Sequence, residues 1–570
     1  MAAHWFVERG EIPSTRIVSS MVIQFMAGIL SKKKDNELME KLLEELQSEG
    51  NSRDRLSIAD GLPIGVKCLA EYEDKDFAKN FIKKHPSEFR IKIFQNVTDV
   101  DCTAVSFLLD VFCELNEEHQ PCTEQPFFGN EELIMSHSNV TQSGIRRICK
   151  SLDKEFCRVV KLQLSTCGLN DECVDCIREL ISRRLTELQV ELDNNAITDA
   201  GLIRLSQGLQ SPACKVTTLN LVGNRITDEG VFSLSQTLQS PGCKVTTINL
   251  SDNQITDAGV ISLSQVLQSS ACKVTTLNLS DNKITDDGVI SLSQALISSA
   301  CKVATLNFCA NKITDAGVAS LSQALQSAAC KVTILGLSNI YITDAGVISL
   351  SQALQSSGCE VTALSLSDNQ ITDVGVTSLS QALQSSACKV TKLYLDFNQV
   401  AAAGVSSLSQ ALQSSACKLT TLDLGNNQIT DAGVASLCRA LQSSACKIII
   451  LHLGNNSITD IGVVSLSQAL QSSACKVTTL FLDDNHITDA GVTSLCQALQ
   501  SSACKVTKLY LGKNPITDAG VTCLSQALQS STCIVTNVAL VLSTSQITDA
   551  GRECLRNLKH QKPDLRVAFL

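Results

Sequence analysis

The chain has 570 residues, of which 44% are hydrophobic and 18% charged, with only 9 prolines. Such a composition has ample apolar surface to bury and excludes a disordered polymer. Compact cores stop growing at about 250–300 residues, so a chain of this length divides into domains or repeats. A net charge of −10 disfavours a general nucleic-acid or anionic-membrane binder.

The chain opens MAAHWFVERGEI, with charges where a secretory signal is apolar, and no run of 18 apolar residues follows. These features predict a cytoplasmic protein with no membrane span. Residues 1–126 hold no repeat and are richer in charge; Leu38, Leu42, Leu43 and Leu46 share one helical face, which predicts a small all-α domain there. The string GLPIGVK at residues 61–67 approaches the phosphate-cradling pattern G-x-x-x-x-G-K-[ST]. Its spacing is wrong and no Ser or Thr follows, so it reads as a helix connection and no cofactor is expected.

From Cys214 the sequence restarts every 29 residues, at Cys243, Cys272, Cys301, Cys330, Cys359, Cys388, Cys417, Cys446, Cys475, Cys504 and Cys533. Less regular copies begin near Leu185, Cys157 and Phe128, giving about fifteen repeats over residues 127–570. In the unit CKVTTLNLSDNQITDAGVISLSQALQSSA, V-x-x-L-x-L alternates like a half-buried strand. The segment that follows opens with Thr-Asp and places Val260, Leu263 and Leu267 at helical spacing. No copy can cover its own apolar side, so neighbours stack into a parallel inner sheet with outer helices.

Four columns run through the copies. An Asn stands at Asn224, Asn253, Asn282, Asn311, Asn369, Asn398, Asn427, Asn456, Asn485 and Asn514, and Ile340 breaks this column. A Gly stands in the first helical turn from Gly201 to Gly520, where Gly weakens a helix unless a neighbouring coil approaches closely. An Asp at each helix start suits the helix dipole. A Lys after the repeat Cys, from Lys215 to Lys505 with Glu360 interrupting, forms a stripe read as a solvated edge in preference to a phosphate site.

The unit resembles the ribonuclease-inhibitor class of leucine-rich repeats, whose L-x-x-L-x-L-x-x-N/C-x-L matches VTTLNLSDNQI at residues 245–255. The resemblance implies an α/β fold, a leucine-rich-repeat solenoid of horseshoe form, in which the Asn satisfies backbone groups of adjacent coils. Three earlier stretches resemble the helical segment that precedes the repeats in NOD-like receptors: VIQFMAGILSKK at residues 22–33, KCLAEYEDKDFAK at 67–79 and VTDVDCTAVSFLLDV at 97–111. Together they identify the chain as resembling the carboxyl-terminal part of such a receptor, without the nucleotide-binding NACHT core. This implies a non-enzymatic, protein-binding scaffold or sensor in innate immune signalling. The alternatives are regulators of an enzyme: a ribonuclease-inhibitor-like protein, against which the uniform repeat length counts, or a relative of the Ran GTPase-activating protein, against which the lack of an acidic tail counts.

Catalytic patterns are missing: the sequence has no G-x-S-x-G, no H-E-x-x-H and no calcium loop, and only 7 histidines. His452 and His486, with Asp423 and Asp483, come nearest to a metal or acid/base set, but they read as ordinary surface side chains. Cys173 and Cys176 have C-x-x-C spacing, yet Cys167 falls in the Asn column and Cys173 in the Gly column, so no metal is expected.

The residue between the last two leucines of the strand points away from the helices. That column reads Asn220, Asn249, Asn278, Asn307, Gly336, Ser365, Tyr394, Asp423, His452, Phe481 and Tyr510. It is uniform at first and diverse at the end, where Asp396, Phe397 and Asp483 flank it. These eight residues, Tyr394, Asp396, Phe397, Asp423, His452, Phe481, Asp483 and Tyr510, are the candidate concave-face site for a protein or microbial ligand. The cysteine columns read as reduced thiols in small buried slots. Few thiols should therefore titrate in the folded protein and most of the 26 after denaturation; a native protein that is disulfide-bonded throughout would overturn the cytoplasmic assignment.

Overall fold

The computed structural model describes residues 2–10, 19–50, 62–86, 89, 93–118, 131–184, 186–540, 547–562 and 566–569. The boundary expected at residue 126, the repeat starts near Phe128 and Leu185, and Gly61 lie outside the described residues. The chain divides into two compact units, residues 1–255 with 269–276, and residues 256–268 with 277–570.

The first unit opens with helices Ala2–Arg9, Ser20–Lys33, Asn36–Gly50, Ile64–Tyr72 and Lys75–Lys84. The expected leucine face of the third is buried at Leu38, Leu42 and Leu43, as are Met26, Leu30 and Leu69 on its neighbours. Asp74 caps the fifth by accepting the Phe77 N–H at 2.9 Å. Repeat geometry then begins earlier than the sequence period suggests. Strand Ile93–Gln95 pairs in parallel with Glu132–Ser136, and the helix Asp99–Glu118 follows it. Val97, Thr98 and Asp99 stand where later coils have Ile-Thr-Asp, but Asp101 occupies the Gly position and is paired with Lys67 at 2.6 Å. This coil lacks the marks that make the others legible. Strands Lys161–Ser165, Leu188–Glu191, Val216–Asn220 and Thr247–Asn249 continue the parallel sheet in chain order.

In the second unit ten strands, from Thr305–Asn307 to Arg566–Phe569, pair in chain order and in parallel. One strand face carries the leucines inward: in the coil of Lys392–Tyr394, for example, Leu393, Leu395, Val405, Leu408 and Leu412 are all buried against the following helix layer. Each such leucine contributes about 1.5–3 kcal/mol by leaving water, but apolar contact alone does not fix the 29-residue register.

The polar columns do. Asn398 Oδ1 accepts the Ile371 N–H of the preceding coil at 3.1 Å, and its Nδ2 donates to the Leu366 carbonyl of that coil at 2.9 Å and to Leu395 of its own at 3.1 Å. The Asp column acts one coil further on than helix capping alone predicts. Asp431 Oδ1 accepts the N–H of Thr459 at 2.8 Å and of Gly462 at 3.0 Å, while Oδ2 accepts the Thr459 hydroxyl at 2.7 Å. Each Asp thus caps the helix of the coil after its own. The glycine column follows from this: a Cβ on Gly462 would sit 2.5 Å from Asp431 Oδ1.

The lysine stripe also has a structural task. Lys447 Nζ donates to the Ser415 and Cys417 carbonyls at 3.2 and 2.8 Å, and Lys418 and Lys476 do the same one coil before and after. These ammonium groups satisfy carbonyls of the loop that leads from the preceding coil's helix toward the sheet, so the stripe is more than a solvated edge.

Two faults interrupt the second unit. Ile340 is buried in the Asn slot, and its side chain cannot accept the Ile313 N–H as an Asn would. At Ala401 and Ala402 the Thr-Asp pair is missing, so no carboxylate serves Thr430, and a Cβ on Gly433 would lie 3.6 Å from the Ala402 Cα where one on Gly462 would meet Asp431 Oδ1 at 2.5 Å. Amides at residues 336–345 should exchange faster than their counterparts at 365–374; equal protection would show that the coil tolerates the loss. Ala402→Asp should raise unfolding stability by about 1–3 kcal/mol, as two or three hydrogen bonds to a part-exposed carboxylate form. In denaturant titrations Gly433→Ala should cost far less than Gly462→Ala, and equal costs would contradict the role assigned to the aspartates.

Candidate interaction face

Strand pairing sets the end of the diverse column in one row: Tyr394 lies opposite Asp423, Asp423 opposite His452, His452 opposite Phe481, and Phe481 opposite Tyr510. All five are half-buried on the sheet face away from the helices. His452 Nδ1 lies 2.6 Å from Asp423 Oδ1, and its Nε2 lies 4.0 Å from Asp483 Oδ1. The imidazole meets the Phe481 ring edge-on, with centroids 4.8 Å apart at 76°, and Phe481 stacks on Tyr510 at 4.1 Å and 11°. Such pairs contribute about 0.5–1.5 kcal/mol beyond their buried area, so the row holds its shape before any partner arrives.

Of the eight expected residues, Asp423, His452, Phe481, Asp483 and Tyr510 form this cluster. Asp396 is adjacent and accepts the Ser367 hydroxyl. Tyr394 instead borders a hollow of about 240 Å³ lined by Asn307, Ile334, Gly336, Leu364 and Ser365. Phe397 stands 54% exposed in the turn, at φ +54°. The same turn position is left-handed in the other coils and holds Asp or Asn in most of them, among them Asp281, Asn339, Asp368, Asn426 and Asn455, with Ala310 and Lys513 among the exceptions. Asp and Asn adopt that conformation at less cost than a bulky aromatic, so local stability does not explain Phe397. His486 is exposed just after the turn, where it bridges Thr459 of the preceding coil and its backbone N–H donates to the Ile458 carbonyl at 2.9 Å.

Two site-shaping residues escape the sequence reading. A Cβ on Gly425 would meet His452 Cε1 at 2.8 Å, and one on Gly454 would meet Asp483 Oδ2 at 2.9 Å. Glycine here makes room for the imidazole and the carboxylate. The available signal was the change from Ser338 and Ser367 to Gly425 and Gly454 at one repeat position. Cys167 and Cys173 lie in the first unit, both buried, with Cys167 Sγ 3.4 Å from the Met135 carbonyl.

A family profile described as Leucine Rich repeat matches residues 213–235, 243–264, 270–293, 360–380, 415–438, 444–467, 473–496 and 502–525. The chain carries leucine-rich repeats. Over 93 residues it is 36% identical to NACHT, LRR and PYD domains-containing protein 1a allele 1 of Rattus norvegicus, which covers 16% of this chain and 8% of that protein. Over 89 residues it is 28% identical to the ribonuclease inhibitor of Mus musculus, 16% of this chain and 20% of the inhibitor. The chain therefore spans a small part of these curated relatives. A solved structure of Rad7 and Elc1 in complex, from yeast, aligns over 87% of this chain and 98% of that one at 13% identity, with a TM-score of 0.40. No helix among the described residues is long and apolar enough to cross a membrane.

Electrostatics tune this leucine-rich-repeat face. Burial pulls His452 down, but the Asp423 hydrogen bond and the charges of Asp423, Asp483 and Asp396 outweigh it and hold the imidazole above its ordinary value. Asp396 is raised, first by burial and then by Asp423. Because the folded His452 value is raised, its contribution to stability is complete below the unfolded value of about 6.5 and is lost as pH climbs through the folded value. In an NMR titration the His452 ring should titrate above about 6.5, and Asp423→Asn should lower its midpoint; an unchanged midpoint would mean that the 2.6 Å pair does not form in solution.

Proposed function

We propose that the sheet face between Tyr394 and Tyr510 captures a protein partner, and that the chain acts as a NOD-like-receptor-type regulator of innate immune signalling whose ligand occupies that face. The observation that carries the reading is the in-register row of Asp423, His452, Phe481 and Tyr510, with its stacked rings held half-exposed. Aromatic side chains preorganised on a rigid sheet are the usual anchors of protein interfaces. Five strands at about 4.8 Å spacing span about 20 Å, which suits a peptide or protein surface. Phe397 supports the same reading, since an exposed aromatic in a left-handed turn serves a partner better than it serves the fold. The receptor assignment draws on the three helical stretches at residues 22–33, 67–79 and 97–111 and on the rat relative, whose name joins NACHT, LRR and PYD domains. The mouse relative is named as an inhibitor of ribonuclease, which makes a protein ligand the natural class to test.

Photo-crosslinking side chains placed at Tyr394 and Tyr510 in the full chain should trap one discrete protein in stimulated immune cells. Tyr394→Ala, Phe481→Ala and Tyr510→Ala should each weaken its binding by about 1–3 kcal/mol, with little effect on folding, while Asn220→Ala and Asn249→Ala leave it nearly unchanged. Phe397→Asn should raise stability by about 1 kcal/mol yet reduce binding. If the Asn substitutions abolish binding and the aromatic ones do not, the ligand face is elsewhere.

A further inference from the structure

Between residues 305 and 394 the repeat pattern is broken at four neighbouring places on the sheet face, and every break makes the surface less polar. Cys309 stands where the adjacent coils have Ser280 and Ser338, Ile334 and Ala363 stand where most coils have Thr or Lys, and Gly336 stands where the earlier coils have Asn. Strand pairing gathers them. Ile334 lies opposite Ala363, and Gly336 lies between Asn307 and Ser365. All four line the hollow of about 240 Å³ that Tyr394 borders, and no charged residue lines it. Ile334 is 47% exposed at its edge, a position that other coils fill with Thr305 or Thr421.

The polar groups around the hollow are engaged with one another. Asn307 Oδ1 accepts the Cys309 N–H at 3.0 Å, the Ser338 N–H donates to Cys309 Sγ at 3.2 Å, and the hydroxyls of Ser338 and Ser365 are hydrogen-bonded at 2.7 Å. What stays open to a ligand is apolar surface and the ring of Tyr394. Phe481 and Tyr510 stack on each other, whereas Tyr394 has no ring partner among the described residues. An apolar cavity of about 150 Å³ already takes up benzene, so the hollow has room for one aromatic side chain and not for two.

We propose that this hollow is the anchor pocket for a single aromatic side chain of a partner protein, a reading that rests on the protein-binding face described above and extends it from Tyr394 back to Asn307. The ring enters the space that Gly336 leaves open and packs against Ile334, Ala363 and Tyr394. Tyr394 favours a ring over an aliphatic group, because aromatic pairs gain from offset or edge-on contact beyond the area they bury. A charged side chain is rejected, since it would lose water and find no counter-charge in the lining. One aromatic anchor in a fitted pocket supplies much of the affinity of a protein interface.

The test has a probe arm and a partner arm, both on the full chain. In the first, N-acetylphenylalaninamide and N-acetyllysinamide are titrated while the δ1-methyl of Ile334 is followed by NMR. The phenyl compound should shift that methyl upfield and saturably, with a Kd on the order of 1 mM, and the lysine compound should bind at least about tenfold more weakly. Gly336→Asn restores the residue of the earlier coils, and Ala363→Thr restores the commoner strand residue. A Cβ at 336 would meet Asn307 Oδ1 and Cγ and lie 3.2 Å from Cys309 Sγ, so Asn307 must turn aside; Ala363→Thr fills the hollow without that demand. Each variant, checked for an intact fold by its melting transition, should weaken the phenyl probe by about tenfold or more.

In the second arm, the protein trapped through Tyr394 or Tyr510 should bind either variant about tenfold or more weakly than the parent chain. If the phenyl compound leaves the Ile334 methyl unmoved, or if both variants keep the partner while Tyr510→Ala loses it, the hollow is not the anchor and the wider face stands. If no protein is trapped although the phenyl compound still binds in the hollow, the face reading fails, and with it a protein as the source of the ring.

Discussion

The constraint on which this structure rests is the exchange of hydrogen bonds between consecutive coils. A strand of three residues and a helix of eleven bury too little to stand alone, and their ends leave many N–H and C=O groups open. Asn398 reaches back to satisfy the coil before it, and Asp431 reaches forward to cap the helix after it. Lysines such as Lys447 reach back to carbonyls in the loop after the preceding coil's helix. Each coil is therefore finished by side chains of both neighbours. The 29-residue period is the spacing at which these reaches coincide.

Much of this was legible because repetition averages away local ambiguity. One copy of VTTLNL is a weak strand signal, whereas many copies in register leave only the stacked parallel sheet. The direction of the polar contacts was not legible. An Asp at a helix start caps its own helix in most contexts, and only the packed neighbours reveal that Asp431 serves Thr459. The lysines were misjudged for the same reason, since no spacing within one copy shows a carbonyl 32 residues upstream, such as Ser415 O for Lys447. The coil at residues 93–118 was missed because Asp101 stands where the period needs Gly.

The candidate face shows a similar division. Alternation along a strand places Tyr394, Asp423, His452, Phe481 and Tyr510 on one side, and parallel pairing makes them a row. The contact of His452 with Asp423, and the turning of Tyr394 toward the Gly336 hollow, depend on rotamers and on what the neighbouring coil lacks. Gly425 and Gly454 matter through the side chains that they omit, which a search for chemical groups overlooks.

The coil that carries Tyr394 concentrates departures from the pattern. It holds Phe397 in a left-handed turn, and it has alanine at both 401 and 402, so the helix after it starts without its carboxylate cap. Stability is lower where the candidate contact residues are densest, a trade that binding at this face would explain. Local opening is cheapest at such a coil. Nearest-neighbour cooperativity then breaks most readily between residues 402 and 430, leaving Tyr394 and Phe397 on one cooperative block and His452, Phe481 and Tyr510 on the other. A ligand that touches both blocks would act as the missing fastener, making the solenoid more cooperative when occupied than when free.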